Sequence, residues 1–86
     1  MYKIIFKKTA TKEFLSLPAK LQAEVEEKLT LLSIGREELL DIKILSPKED
    51  KRYRLRVGKY RVIYKIEQSE LIICVIKIGS RGDVYK

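Results

Sequence analysis

The stretch YRLRVGKYRVIY, residues 53–64, decides how the rest of the chain is read. Apolar or aromatic residues alternate with arginines on both sides of Gly58-Lys59, the period of a half-buried strand. A two-residue turn with glycine first suits a type II′ hairpin. Pairing outward sets Val57 against Tyr60, Arg56 against Arg61, Leu55 against Val62, Arg54 against Ile63 and Tyr53 against Tyr64. One face then carries Tyr53, Leu55, Val57, Tyr60, Val62 and Tyr64 and belongs in a core. The other carries Arg52, Arg54, Arg56, Arg61, Ile63 and Lys65.

Arg56 directly opposite Arg61 is unfavourable, by a few tenths to about 1 kcal/mol. No acid lies within residues 52–66 to relieve it. Charges splayed into water would tolerate the arrangement. A preformed anion site would use it, because clustered guanidinium groups hold phosphate through paired hydrogen bonds. The clustering favours the site. Cys74 and Ile76 share this face if the next strand pairs in the simplest register. A basic floor with an apolar flank suits nucleotides, and equally an amphipathic partner peptide.

Outward from the hairpin, residues 70–78 form a third strand, reached by a reversal over Glu67–Glu70. The tail GSRGDVYK, residues 79–86, has no period. Upstream, YKIIF at 2–6 reads as a short strand. Ala10, Phe14 and Leu17 then mark one face of a helix over 9–17, with Thr9 as its cap. Pro18 breaks that helix and suits the first turn of the next. Leu21, Val25, Leu29 and Leu32 stripe a second helix over 18–33, and Gly35 stops it. Residues 36–51 are the least regular: their apolar residues fit a helical turn or a short edge strand, ended by Pro47. The expected architecture is α+β: a small twisted antiparallel sheet of about four strands with an N-terminal helical hairpin packed on one face, all in a single domain, 1–86.

Composition narrows the chemistry. The chain has 86 residues, 19 Lys and Arg against 12 Asp and Glu, a net charge of +7 and no histidine. The charge favours a polyanionic partner. The missing histidine removes the commonest general base and a common metal ligand. Cys74, the single cysteine, reads as a small hydrophobe in a strand. No metal-ligand spacing appears, and no cofactor is expected. Asn and Trp are absent and Gln occurs twice, a mix that resembles thermophile proteins. No apolar run is long enough to span a bilayer, and the start MYKIIFKKTA has too short an apolar stretch for a signal peptide. The expectation is a soluble cytoplasmic protein.

YRLRVGKYRVIYKI followed by VIKIGSRGDVYK resembles the RelE/ParE superfamily of toxins from toxin–antitoxin systems. The likeness extends over nearly the whole chain. It implies a small sheet with two N-terminal helices, and one of two activities: metal-independent mRNA cleavage in the ribosomal A site, or inhibition of DNA gyrase. The RelE-like branch is favoured. An inactive relative serving mainly as an antitoxin-bound corepressor is a further alternative. In RelE-like chemistry the 2′-hydroxyl attacks the adjacent phosphate, leaving a cyclic phosphate and a free 5′-hydroxyl. Carried over by motif, the resemblance implies Arg54 and Arg56 on the first hairpin strand, Arg61 on the second, Arg81 in the tail and Tyr85 near the end as catalytic residues. Arg52, Lys59, Lys65 and Lys86 are expected to line the RNA. Lys3, Lys7, Lys8 and Lys12 read as surface charge. Ser80 stands where many relatives carry histidine or lysine. The resemblance makes Tyr85 the expected base or base-orienter, since neighbouring arginines would favour its ionised form. Arginine stabilises charge and is a poor base. The implied partners are the ribosome with mRNA, and an antitoxin with an acidic, partly helical segment. No membrane is expected.

Overall fold

The structure, a computed structural model, describes residues 1–46 and 51–80. Its elements in order are β1 (Lys3–Phe6), α1 (Lys8–Leu15), α2 (Ala19–Ser33), a 3-10 turn (Glu37–Leu39), β2 (Ile42–Ser46), β3 (Arg52–Val57), β4 (Tyr60–Glu67), a second 3-10 turn (Gln68–Glu70) and β5 (Ile72–Gly79). The sheet has five strands in the order β1-β5-β4-β3-β2. It is mixed, not wholly antiparallel as expected: β1 runs parallel to β5, with Lys3 beside Ile72 and Phe6 beside Val75. A parallel neighbour needs a long crossover, which the helical hairpin and three further strands supply. The fifth strand is β2, so the irregular region forms both the turn and the edge strand that its apolar residues allowed.

The hairpin register is the one the sequence dictates, from Tyr53–Tyr64 to Val57–Tyr60. Gly58 has φ +59° while Lys59 stays at negative φ, as a type II′ turn requires. Between β4 and β5 the register slips at Ile63/Tyr64, where Ile63 faces Lys77 and Tyr64 faces Val75. Ile76 is the extra residue of this bulge. Strand β5 therefore buries Ile73, Val75 and Ile78, leaving Cys74, Ile76 and Lys77 outside the core.

Helix α1 begins one residue earlier than expected and ends two earlier. Lys7 N–H donates to the Val75 carbonyl at 2.8 Å as the last rung of β1. The chain turns from strand to helix at that residue, so Lys7 occupies the cap position and Thr9 lies inside the first turn. Pro18, with ψ 149°, stands just ahead of α2. Leu17 lies in the link between the helices and is still buried. At the far end of α2, Gly35 has φ +80°. Its N–H donates to Leu32 and that of Arg36 to Leu31, the paired bonds of a Schellman stop.

One core joins Ala10, Val25, Leu29 and Leu32 of the helices to Leu55, Val57, Val62, Tyr64, Ile73, Val75 and Ile78 of the sheet. Phe6 meets Phe14 edge-on, with ring centroids 5.4 Å apart. Ile78 N–H, past the point where β1 runs alongside, donates to Glu13 Oε1 at 2.8 Å and ties α1 to β5. Both helices cover one sheet face, and the other is left to the arginines.

Candidate functional site

Strands β3 and β4 build the open face. Strict alternation places Arg52, Arg54 and Arg56 on β3, and Arg61, Ile63 and Lys65 on β4, opposite the buried residues. Two residues that the sequence reading missed join them by register: Lys43 of β2 lies beside Arg54, and Lys77 of β5 lies beside Ile63. Lys43 was legible in principle, as the polar residue between Ile42 and Ile44. Lys77 was not, because the bulge at Ile76 moves it.

Arg56 and Arg61 face each other, and Gly79 flanks Arg61 on the other side. Glycine puts no side chain of β5 beside Arg61, whose Nε is nonetheless buried. Ile63 is only 4% exposed although it stands apart from the core. Its cross-strand neighbours are Arg54 and Lys77, both with long aliphatic stems.

Charge relief for Arg54 comes from outside the hairpin. Arg54 Nη2 donates to Asp41 Oδ1 at 2.8 Å. The Arg54 side chain is 14% exposed, and its buried Nε has no acceptor among the described residues. Asp41 also accepts the Arg56 backbone N–H at 3.0 Å through its carbonyl. Lys65 Nζ lies 3.6 Å from Glu67, and Lys77 Nζ 3.7 Å from Glu13. Arg56 is exposed, its Nε making a long 3.4 Å contact with the Gly58 carbonyl. Lys59 is exposed at the turn, at the same end of the sheet.

Of the expected catalytic residues, the structure brings Arg54, Arg56 and Arg61 together on one face, with Arg52 and Lys65 alongside. Arg81, Tyr85 and Lys86 lie outside the described residues. Tyr53, Tyr60 and Tyr64 pack with the core, as expected, and the rings of Tyr53 and Tyr64 stack 5.2 Å apart. Burial pushes the Tyr64 phenol well above its ordinary value, with Tyr53 and Glu37 adding to the effect. It stays protonated and is no base. Cys74 is half-buried opposite Lys65. Among the described residues, no three His, Cys, Asp or Glu side chains converge as a metal site needs, and no helix is long and apolar enough to cross a membrane.

The face gathers guanidinium and ammonium groups of one sign, Arg54 held at Nη2 by Asp41 and Arg56 exposed.

Residues 4–85 match the family described as ParE toxin of type II toxin-antitoxin system, parDE. Toxin RelG of Mycobacterium tuberculosis is 27% identical over 85 residues, covering 99% of this chain and 97% of that protein. The toxin in the archaeal RelE–RelB complex from Pyrococcus horikoshii superposes with a TM-score of 0.81 at 30% identity, covering 94% of this chain and 96% of that one. The isolated Escherichia coli RelE toxin gives 0.74 at 26% identity, covering 99% and 92%. The chain belongs to the ParE toxin family of type II toxin–antitoxin systems, and within the RelE/ParE superfamily its relatives place it with the RelE-like branch.

Proposed function

We propose that this chain is a ribosome-dependent mRNA endonuclease, acting in the cytoplasm and kept silent by an antitoxin. The observation that carries the reading is the gathering of Arg54, Arg56 and Arg61 on one solvent-facing side of the sheet. In the proposed reaction the ribose 2′-oxygen loses its proton and forms a bond to the neighbouring phosphorus. The bond from phosphorus to the 5′-oxygen breaks, and that oxygen takes up a proton. The products are a 2′,3′-cyclic phosphate and a 5′-hydroxyl. Arg61, always charged and forked, holds the phosphate and offsets the negative charge that builds on its oxygens. Arg54 and Arg56 add to that field. Arg81, two residues beyond Gly79 in the sequence, stabilises the leaving oxygen, and Tyr85 removes or orients the 2′ proton. Arg52, Lys59, Lys65 and Lys86 hold the flanking RNA. The ribosome supplies the extended A-site codon, so the toxin need not order its substrate itself.

The antitoxin of this reading is an acidic, partly helical chain. Several structural relatives were crystallised as RelE–RelB complexes, which supports such a partner. The groove lined by Ile4, Phe6, Phe14 and Leu29, a cavity of about 360 Å³, offers apolar anchors.

A gyrase-directed reading has one observation in its favour, the match to the family described as ParE toxin. Purified toxin added to a translating extract, followed by primer extension on the mRNA, tests the nuclease reading, with a supercoiling assay on gyrase in parallel. Ribosome-dependent new 5′ ends support it. Intact mRNA with gyrase inhibited would replace it by the second reading.

A further inference from the structure

We propose that Asp41 is a positioning residue that fixes the Arg54 guanidinium across the arginine face and so sets the direction from which it meets the phosphate. The inference rests on the endonuclease reading above. It starts from a conflict. A carboxylate at the rim of a face meant for a polyanion repels the substrate, and by charge alone its removal should tighten RNA binding.

The geometry supplies a reason for it to be there. Arg54 has Lys43 beside it on β2 and Arg56 two residues along its own strand, both on the same face. Left alone, its head would swing away from these cations into water. Instead the side chain is 14% exposed, with Nε buried and without an acceptor among the described residues. That rotamer gives up hydration at Nε and needs an anchor elsewhere. Asp41 provides it at Nη2, 2.8 Å away. The backbone of the anchor is held, since the Asp41 carbonyl accepts the Arg56 N–H at 3.0 Å and registers the start of β2 against β3, while its carboxylate is exposed. The carboxylate engages Nη2 only, and guanidinium has further N–H donors to turn toward a phosphate. A fixed fork needs no reorganisation during reaction, which is where electrostatic catalysis draws its advantage.

The test compares Asp41→Ala and Asp41→Asn with wild type in mRNA cleavage on programmed ribosomes, separating kcat from KM, each also in an Arg54→Ala background. Asp41→Ala is expected to lower kcat roughly tenfold to a hundredfold, with KM unchanged or reduced. Asp41→Asn, which keeps an acceptor, should lose less, and neither substitution should cost anything further once Arg54 is gone. In parallel, the Arg54 Nε–H resonance should exchange slowly in wild type and broaden in Asp41→Ala. Cleavage at or above the wild-type rate by Asp41→Ala, or an unchanged Arg54 resonance, overturns the proposal. Wild-type toxin that makes no cuts at all overturns the endonuclease reading and the catalytic role with it, while the resonance still decides whether Asp41 holds Arg54.

Discussion

Arg56 on β3 and Arg61 on β4 stand directly opposite one another, the two cations of a single cross-strand pair. Such a pair weakens a hairpin, yet the same strands carry a buried and continuous opposite face, with Leu55 and Val62 at 0% exposure. The core residues of the two strands stabilise the hairpin by more than the repulsion costs, because burying each aliphatic side chain is worth about 1.5–3 kcal/mol.

If the 2′-oxygen is the nucleophile, an mRNA with a 2′-deoxy nucleotide at the cut position should survive while its all-ribose counterpart is cleaved. The cut ends should accept phosphate from a 5′-kinase without prior phosphatase treatment. Cleavage of the deoxy message, or 5′-phosphate ends, would point to attack by water instead.

Tyr64 predicts an alkaline limit to stability. Its phenol is buried and its folded-state pKa lies above the ordinary 10.0. Neutral in both states below that pH, it contributes no pH dependence there. Above about pH 10 the unfolded chain ionises and the folded one does not, so stability falls by up to about 1.4 kcal/mol per pH unit. Thermal melts from pH 8 to 11 should show Tyr64→Phe losing less stability than wild type over the last unit. Equal slopes would mean that the phenol is not held neutral by the fold.

Antitoxin association should be fast and salt-sensitive. With a toxin of net charge +7 and an acidic partner, raising salt from about 0.05 to 0.5 M should slow the on-rate on the order of tenfold or more, with little change in the off-rate. Rapid mixing measures both. A salt-independent on-rate would show that the cationic face is not what the antitoxin meets first.

Much of this was legible from the chain. Alternation around Gly58-Lys59 fixed the hairpin register and the sorting of Arg54, Arg56 and Arg61 from the core, since period two leaves one solution once a face must be buried. The stripe Val25, Leu29 and Leu32 and the stop at Gly35 fixed α2. Residues that depend on distant pairing stayed hidden. The parallel union of β1 with β5 leaves no local pattern. The bulge at Ile76 puts Lys77 on the open face by a slip that periodicity does not encode. Asp41 reaches Arg54 across 13 residues, so a search for acids within the hairpin missed it. Thr9 looked like a cap by residue type, and strand pairing at Lys7 moved the helix start.

The central claim, that the arginine face acts on phosphate and is not a structural surface, meets its most direct test in Arg61→Ala. Single-turnover mRNA cleavage on programmed ribosomes and a thermal melt should be measured on the same preparation. The account predicts that cleavage is lost while stability stays within about 1 kcal/mol of wild type, because relief of the Arg56 repulsion offsets the packing removed with the side chain. Cleavage at the wild-type rate, or a loss of activity that tracks a loss of stability, would contradict it.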